Sequence, residues 1–197
     1  MPDRSAPALI SLLLALLLTA CAPRDLLLSG GGAVGVASMQ ERGVSGALSD
    51  YQLRLAINEA WFHASLQLYG RASLMISEGR VVIIGRVPTQ QLVDLASQLA
   101  VAAGAHEPVN RMTVGPDFPF VQRLEDDSIS LRLEGTYTFD RDVRALNYDV
   151  ETKDGTVYLI GEAASDREKR RVIWLAKNFP GVRDVESYVH VTESSNP

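Results

Sequence analysis

The sequence predicts an α+β protein of two tandem small αββαβ domains, each a three-stranded mixed sheet covered on one face by two helices. The first observation behind this fold class is an internal repeat, in which residues 79–87 match residues 155–163 further along the chain. The second is that apolar residues recur at helical spacing upstream of both segments. The third is that each matched segment is rich in β-branched residues and begins at a turn signal.

The first helix of each unit is predicted from apolar positions at helical spacing behind an aspartate. These positions are Asp50, Leu53 and Ile57 in the first copy and Asp126, Ile129 and Leu133 in the second. One face of each helix is therefore expected to lie against a core. A hairpin turn follows in each copy, at Glu78-Gly79 and at Asp154-Gly155, where glycine supplies a positive φ.

Strands flank these turns, and a second helix and a third strand follow each hairpin. The predicted boundaries are first strands at residues 74–76 and 146–150, second strands that end at Gly85 and Gly161, and second helices with Thr89 and Ser165 as N-caps. The two helices of each unit are expected on one face of its sheet.

These elements divide the chain into six segments. They are a signal peptide at 1–20, an acylated cysteine with a flexible tether at 21–47, a first domain at 48–117, a short linker at 118–125, a second domain at 126–193 and a tail at 194–197. The tether is predicted because residues 28–47 are mostly Gly, Ala, Val and Ser, a composition that cannot build a core.

The cellular location of the protein is predicted from the segment around Cys21. An apolar run from Ala6 to Leu18 is too short to span a bilayer and leads into small residues, as in a secretory signal. Leu18-Thr19-Ala20-Cys21 resembles a bacterial lipobox, which implies that Cys21 is acylated and becomes the first residue of the mature chain. The alternative is an ordinary cleaved signal in which Cys21, the one cysteine of the sequence, is incidental.

A lipobox cysteine implies that the protein is held on a membrane by an acyl anchor, since several buried acyl chains keep a protein on a bilayer. Ala22 follows the cysteine, where similar lipoproteins that stay in the inner membrane have an acidic residue. The expected location is therefore the outer membrane, on its periplasmic face.

Charge and composition argue against several classes of function. The formal net charge is −5 and the pI is about 5.2, so no general affinity for nucleic acid is expected and any attraction to anionic lipid must be local. The three histidines, His63, His106 and His190, show no metal-ligand spacing, and the carboxylates are scattered. We therefore expect no catalytic residues, no metal and no cofactor.

The second copy carries the motifs of a known domain. Its Asp154-Gly155-x-Val157-x-Leu159-x-Gly161 core and its Pro180-Gly181-Val182-Arg183-Asp184-Val185 segment resemble the BON domain. The first copy departs from the pattern, with Ser77-Glu78-Gly79 at the turn and Ala105-His106-Glu107-Pro108 in place of Gly-Val-x-x-Val. Two such copies behind a lipobox resemble the dual-BON outer-membrane lipoproteins, and the resemblance covers about residues 48–193.

The resemblance implies that the first helix of the second domain binds anionic phospholipid, and Ser128, Leu131 and Arg132 are the candidate contacts. Leu131 lies about 200° round the helix from the core residue Ile129, so it should point outward beside a cation. Leu55 holds the equivalent position in the first copy. The open alternative is that these leucines pack the two domains together.

A second cationic cluster lies on the second helix of the second copy. It comprises Arg167, Lys169, Arg170, Arg171 and Lys177. Such a run is typical of a solvated helix face, and the functional alternative is a patch that faces lipid headgroups. Trp174 could anchor that patch, although its spacing from Ile173 and Lys177 favours the edge of the core.

The function that these patterns favour is non-catalytic. It is a lipid-anchored periplasmic protein that binds anionic phospholipid through its second domain and supports the integrity of the outer membrane. The alternative is a protein-interaction adaptor, in which the sheets or the Leu55 and Leu131 faces dock an envelope protein and no lipid is recognised directly.

Overall fold

The structure, a computed structural model, describes residues 43–192, with side chains from residue 46 onward. The predicted signal peptide, Cys21, most of the predicted tether and the predicted tail lie outside the described residues. Both hydrophobic cores consist of residues between 46 and 192, so a chain of residues 22–197 retains them.

Each domain has the element order that the sequence predicts. The first domain consists of α1 (Gly43–Ala64), a short α2 (Leu66–Tyr69), β1 (Ala72–Ser77), β2 (Arg80–Val87), α3 (Gln90–Ala102), β3 (Val109–Asn110) and β4 (Thr113–Val114). The second consists of α4 (Phe120–Phe139), a 3-10 turn (Ala145–Asn147), β5 (Tyr148–Lys153), β6 (Thr156–Ala163), α5 (Asp166–Lys177) and β7 (Asp184–Val191). The predicted α+β fold of two tandem αββαβ domains is confirmed.

The two sheets share one topology. In each, the hairpin strands β1 and β2, or β5 and β6, pair antiparallel, and the last strand pairs parallel to the second strand of the hairpin. In the first domain that last strand is interrupted, so that β3 and β4 pair separately with β2. The hairpin turns have the predicted positive φ, with values of 73° at Gly79 and 68° at Gly155.

The structure corrects the predicted strand ends. Gly85 and Gly161 lie inside β2 and β6, which each continue for two more residues. A Cβ on Gly161 would lie 2.1 Å from the carbonyl oxygen of Asn147, and one on Gly85 would lie 2.2 Å from that of Arg71. These glycines are needed because the backbone that enters the first strand passes directly over them.

Other boundaries also differ from those expected. Residues 146 and 147 form part of a 3-10 turn, so β5 begins at Tyr148. Helix α4 begins at Phe120, inside the expected linker, with Pro119 at its N-cap. Proline is tolerated at a helix start, and neither Gly nor Pro interrupts the sequence from Phe120 until Gly135.

Each domain has its own core between its sheet and its helices. In the first, Ile57, Trp61 and Ile83 are fully buried, and the Trp61 indole N–H donates to the carbonyl of Ala96 at 3.1 Å. In the second, Tyr137 is 1% exposed and its hydroxyl donates to the Val172 carbonyl at 3.0 Å.

The remaining sheet faces pack against each other. This third core contains Met75, Val82 and Ile84 from the first domain and Tyr158 and Ile160 from the second. The order of layers is therefore helices, sheet, sheet, helices. Because each sheet covers the other, the outer surfaces of the molecule on both sides are helical.

Ionic contacts surround the apolar contact between the sheets. Every cation in these pairs comes from the first domain and every carboxylate from the second. The pairs are Arg54 with Asp149 at 3.6 Å, Arg80 with Glu162, Arg86 with Asp154 at 3.3 Å and Arg111 with Glu186 at 2.9 Å. The pattern of charge matches one domain to the other and fixes their relative orientation.

Candidate functional site

Helix α4 presents one face to the core and the opposite face to solvent. Its inward residues Ile129, Leu133 and Tyr137 follow helical spacing and are buried. Leu131 lies opposite them and is 70% exposed. Since the domains meet through their sheets, Leu131 lies outside the contact between the domains, and the alternative that it packs them together is not supported.

Exposed apolar side chains run along the whole outer face of α4. They are Phe120, Val121, Leu124, Leu131 and Phe139, and Phe139 is 88% exposed. Over the 20 residues of this helix they form a stripe about 30 Å long, given a rise of about 1.5 Å per residue. Asp127 and Ser128 interrupt this stripe between Leu124 and Leu131. Exposed apolar side chains spread along one side of a charged helix are typical of an interaction surface.

The two other predicted contacts lie within one turn of Leu131. Ser128 is exposed, and its backbone carbonyl accepts a hydrogen bond from the Arg132 Nε at 3.1 Å. The Arg132 guanidinium lies over the ring of Phe179, 5.6 Å from its centroid. The structure therefore brings Ser128, Leu131 and Arg132 together on one exposed surface, with the cation supported by an aromatic ring.

Helix α5 lies beside α4 and adds an aromatic residue to this surface. Trp174 is 54% exposed, although its spacing favoured the edge of the core. The inward positions of α5 are held by Val172 and Ala176, which are fully buried. The Arg171 guanidinium lies 5.1 Å from the centroid of the Trp174 ring.

An open groove runs between α4 and α5. It is lined by Arg132, Gly135, Thr136, Phe139, Asp140, Arg171 and Leu175. Asp140 closes one side, accepting hydrogen bonds from Arg171 at 2.8 and 3.0 Å. These hydrogen bonds hold the pKa of the Asp140 carboxyl below its ordinary value, so the pair is ionised at neutral pH.

Phe139 and Leu175 line this groove but were not among the candidate residues predicted from the sequence. Phe139 follows Leu131 by two helical turns with Gly135 between them, a spacing that places all three on one side of the helix. That signal was available for Phe139. The position of Leu175 depends on how α5 packs on α4, which spacing alone does not give.

The cations of this surface differ in how they are neutralised. Arg167 pairs with Asp142 at 3.2 Å and Arg171 with Asp140. Within residues 46–192, Arg132, Arg170 and Lys177 have no carboxylate within ion-pair distance. We name the exposed surface of α4 and α5 that carries these three cations, Leu131, Phe139 and Trp174 the basic face.

The side chains of the basic face have the chemistry needed to bind an amphiphile. Exposed apolar side chains lie beside cations that can attract an anion, a combination that fits a headgroup with acyl chains. In the part of the chain described, His, Cys, Asp and Glu form no cluster that could hold a metal ion. Across residues 43–192, no helix is long and apolar enough to cross a membrane.

Three relatives with known sequences resemble this chain. An uncharacterized protein from the gshII 5' region of Anaplasma centrale is 29% identical, over 75% of this chain and 97% of its own length. The outer membrane lipoprotein DolP of Haemophilus influenzae is 28% identical, over 79% of this chain and 82% of its own. A 21 kDa hemolysin of Actinobacillus pleuropneumoniae is 27% identical, over 66% and 67%.

A family model also matches the chain in both of the repeated units. The BON domain model matches residues 68–116 and again residues 125–193. The two matches together cover more than half of the chain and include both hairpins and both second helices. With its two αββαβ domains, the chain belongs to the BON domain family.

Proposed function

We propose that this protein is a non-catalytic lipoprotein of the outer membrane that binds anionic phospholipid through its second BON domain. The similarity to the outer membrane lipoprotein DolP supports the location. The lipobox-like segment supports acylation at Cys21 and a position on the periplasmic face. Support for the integrity of the envelope is the physiological role that this location favours.

The observation that carries the proposal is the composition of the basic face. Leu131, Phe139 and Trp174 expose their side chains by 70%, 88% and 54% next to cations with no carboxylate partner in the described structure. A tryptophan ring suits the depth of lipid headgroups, and each cation near an anionic surface contributes about 1 kcal/mol. Together, the three cations and the exposed apolar side chains of the basic face supply enough attraction for selective, reversible contact with an anionic bilayer.

An acyl anchor would make even weak contact effective. A tethered domain meets the bilayer at an effective concentration set by the length of its linker, so affinity for free vesicles understates binding in place. The tether was expected to reach residue 47, but α1 already begins at Gly43, so the proposed tether runs from Cys21 to residue 42. The basic face can therefore act reversibly on a protein that stays on the membrane.

Vesicle co-sedimentation of residues 22–197 tests the proposal. Vesicles that contain phosphatidylglycerol are compared with purely phosphatidylcholine vesicles, and the Leu131→Asp variant is compared with the wild type. The matched control is Leu55→Asp, which places the same change at the equivalent position of the other domain. We expect selective binding to phosphatidylglycerol, weakened at least about tenfold by Leu131→Asp and unchanged by Leu55→Asp.

Two outcomes would contradict the proposal. If Leu55→Asp and Leu131→Asp reduced binding equally while both remained folded by circular dichroism, the contact would not lie on the basic face. If the wild type bound neither vesicle composition, the adaptor function would be favoured. Fractionation of cells that carry Cys21→Ser tests the anchor separately, since loss of acylation should release the protein from the membrane fraction.

A further inference from the structure

The outer helical layer of the first domain differs in kind from the basic face. Leu48, Tyr51, Leu55 and Phe62 are 55%, 58%, 51% and 49% exposed and recur every three, four and seven residues along α1. This spacing places all four on one side of the helix. We name this row of side chains the α1 stripe.

The exposed apolar surface extends beyond the α1 stripe. The ring of Phe62 makes an edge contact with Tyr69 of α2, with 5.4 Å between centroids. Leu66 of α2 is 68% exposed, and Val101 at the end of α3 is 55% exposed. The first domain therefore exposes a run of large apolar residues on its helical side.

Charged groups are scarce on this side of the molecule. The three helices of the first domain contain Asp50, Arg54, Glu59 and Asp94 as their charged residues, against six in α4 and seven in α5. Asp50 is buried and accepts hydrogen bonds from the hairpin turn, and Arg54 pairs with Asp149 of the second domain. On the exposed side, Glu59 and Asp94 remain.

The scarcity of cations argues against an anionic bilayer as the occupant of this surface. In helices α1 to α3, Arg54 is the one Lys or Arg, and it points toward the second domain. Depletion of charge together with exposed Tyr and Phe is instead typical of the centre of a protein interface.

We propose that the α1 stripe joins two copies of this chain. Leu55 lies midway between Leu48 and Phe62, so two α1 helices that cross antiparallel at Leu55 place Leu48 of each toward Phe62 of the other. This arrangement is self-complementary, as a two-fold symmetric interface requires. Glu59 is the one carboxylate exposed on α1 and lies on the same side, four residues after Leu55. In this arrangement it faces Tyr51 of the other copy, so the two Glu59 carboxylates do not meet.

The available area is consistent with such a pair. The α1 stripe with Leu66, Tyr69 and Val101 comprises seven large apolar side chains that are each between 45% and 68% exposed. Since an aromatic side chain alone can bury roughly 150–250 Å², their exposed area is on the order of several hundred Å², and a stable interface buries roughly 800 Å² per partner. The layer order of the fold leaves the basic face free in the pair, because it lies on the opposite side of each copy. Self-association and lipid binding are therefore separable.

Sedimentation equilibrium of residues 22–197 over a range of concentrations tests the proposal. We expect a monomer–dimer equilibrium that Leu55→Asp weakens at least about tenfold. Leu131→Asp is the matched control, since it introduces the same charge at the equivalent exposed position of the second domain, and it should leave the equilibrium unchanged. Circular dichroism of both variants excludes unfolding as the cause.

Cross-linking of the full chain gives a second, independent measurement. A cysteine at the two-fold axis lies next to its own copy, so Leu55→Cys should form a covalent dimer in intact cells under mild oxidation, while Leu131→Cys should not. The unchanged full chain, with Cys21 as its one cysteine, controls for cross-links through that residue.

Three results would overturn the proposal. A wild type that remains monomeric at every concentration would show that the α1 stripe does not join two copies and would favour a different partner for it. A dimer that Leu55→Asp does not weaken would place the contact elsewhere. Equal cross-linking of Leu55→Cys and Leu131→Cys would indicate random collision on the membrane.

Discussion

Asp126 closes the hairpin turn of the second domain at Gly155: its Oδ1 accepts a hydrogen bond from the Gly155 N–H at 2.8 Å. Its Oδ2 accepts a second from the Asp154 N–H, also at 2.8 Å. In the first domain, Asp50 makes the same two bonds to the turn at Glu78-Gly79, at 2.9 and 2.8 Å. A buried carboxylate on the first helix thus fixes the hairpin in both copies.

Removal of this carboxylate should destabilise the second domain. Asp126→Ala leaves two backbone N–H groups of the turn without their acceptor, and each such loss costs about 1–3 kcal/mol when the group is buried. We expect the free energy of unfolding to fall by about 2–5 kcal/mol, measured by urea denaturation of residues 22–197. The control is Asp127→Ala at the neighbouring exposed position, which should change it by less than about 0.5 kcal/mol.

The glycines inside the second strands allow a matched comparison. Gly161→Ala places a methyl group against the Asn147 carbonyl at a φ of 152°, so we expect a loss of about 4 kcal/mol or more, or failure to fold. Gly135→Ala meets no atom within 4 Å and lies inside α4, so it should stabilise the chain by up to about 1 kcal/mol. Thermal unfolding distinguishes them, and equal effects would contradict the account of Gly161.

The contact between Arg80 and Glu162 should couple the two domains. Glu162 is 4% exposed, and the Arg80 guanidinium also donates to the Tyr188 carbonyl at 2.8 Å. Arg80→Met removes the cation from this buried contact, so we expect a loss of about 3 kcal/mol and a calorimetric transition that splits in two as the domains unfold separately. Arg167→Met, which breaks an exposed pair with Asp142, should cost less than about 1 kcal/mol and leave one transition.

Release of Arg171 from its partner should strengthen lipid binding. Asp140→Asn removes the carboxylate that neutralises Arg171 on the basic face, which adds one effective positive charge beside Trp174. A cation near an anionic surface contributes about 1 kcal/mol, so we expect about fivefold tighter binding to phosphatidylglycerol vesicles in co-sedimentation. Weaker binding by a folded Asp140→Asn variant would show that Arg171 does not face the bilayer.

The Asp140→Asn variant also tests how the stability of the fold depends on pH. The hydrogen bond from Arg171 lowers the pKa of Asp140 in the folded state, so this carboxylate stabilises the fold above its unfolded pKa of about 4. The contribution is lost as the pH falls through the lower folded pKa. We therefore expect Asp140→Asn to be less stable than the wild type at neutral pH and the difference to shrink below about pH 4, measured by urea midpoints. A difference independent of pH would contradict this.

Two departures of the first copy from the BON pattern are explained by a single contact. In the second copy, Arg183 donates to the carboxylate of Asp154, and its backbone N–H donates to the Gly155 carbonyl at 2.8 Å. Glu78 and His106 hold the equivalent positions in the first copy. The sequence shows two unrelated differences, whereas the structure shows that both partners of one pair are changed.

The order of elements in both copies was predictable because each signal is local. Helical spacing placed Ile129 and Leu133 inward and Leu131 outward, and glycine marked both hairpin turns. The same spacing failed for Trp174, because it assigns a position to one side of a helix without giving the width of the surface that the neighbouring helix covers. Ser128, Leu131 and Arg132 were found together because they lie within one turn of one helix.

Local patterns in the sequence were sufficient to predict the repeated αββαβ order and the outward direction of Leu131, and they predicted helices on one face of each sheet. The packing of the two sheets against each other, which leaves Leu55 and Leu131 on opposite outer layers, could be seen in the folded molecule alone. Helical and strand periodicity act over a few neighbouring residues and carry no information about such a contact. The contact between sheets depends on how side chains distant in the chain fit together and on ion pairs whose partners lie in different domains.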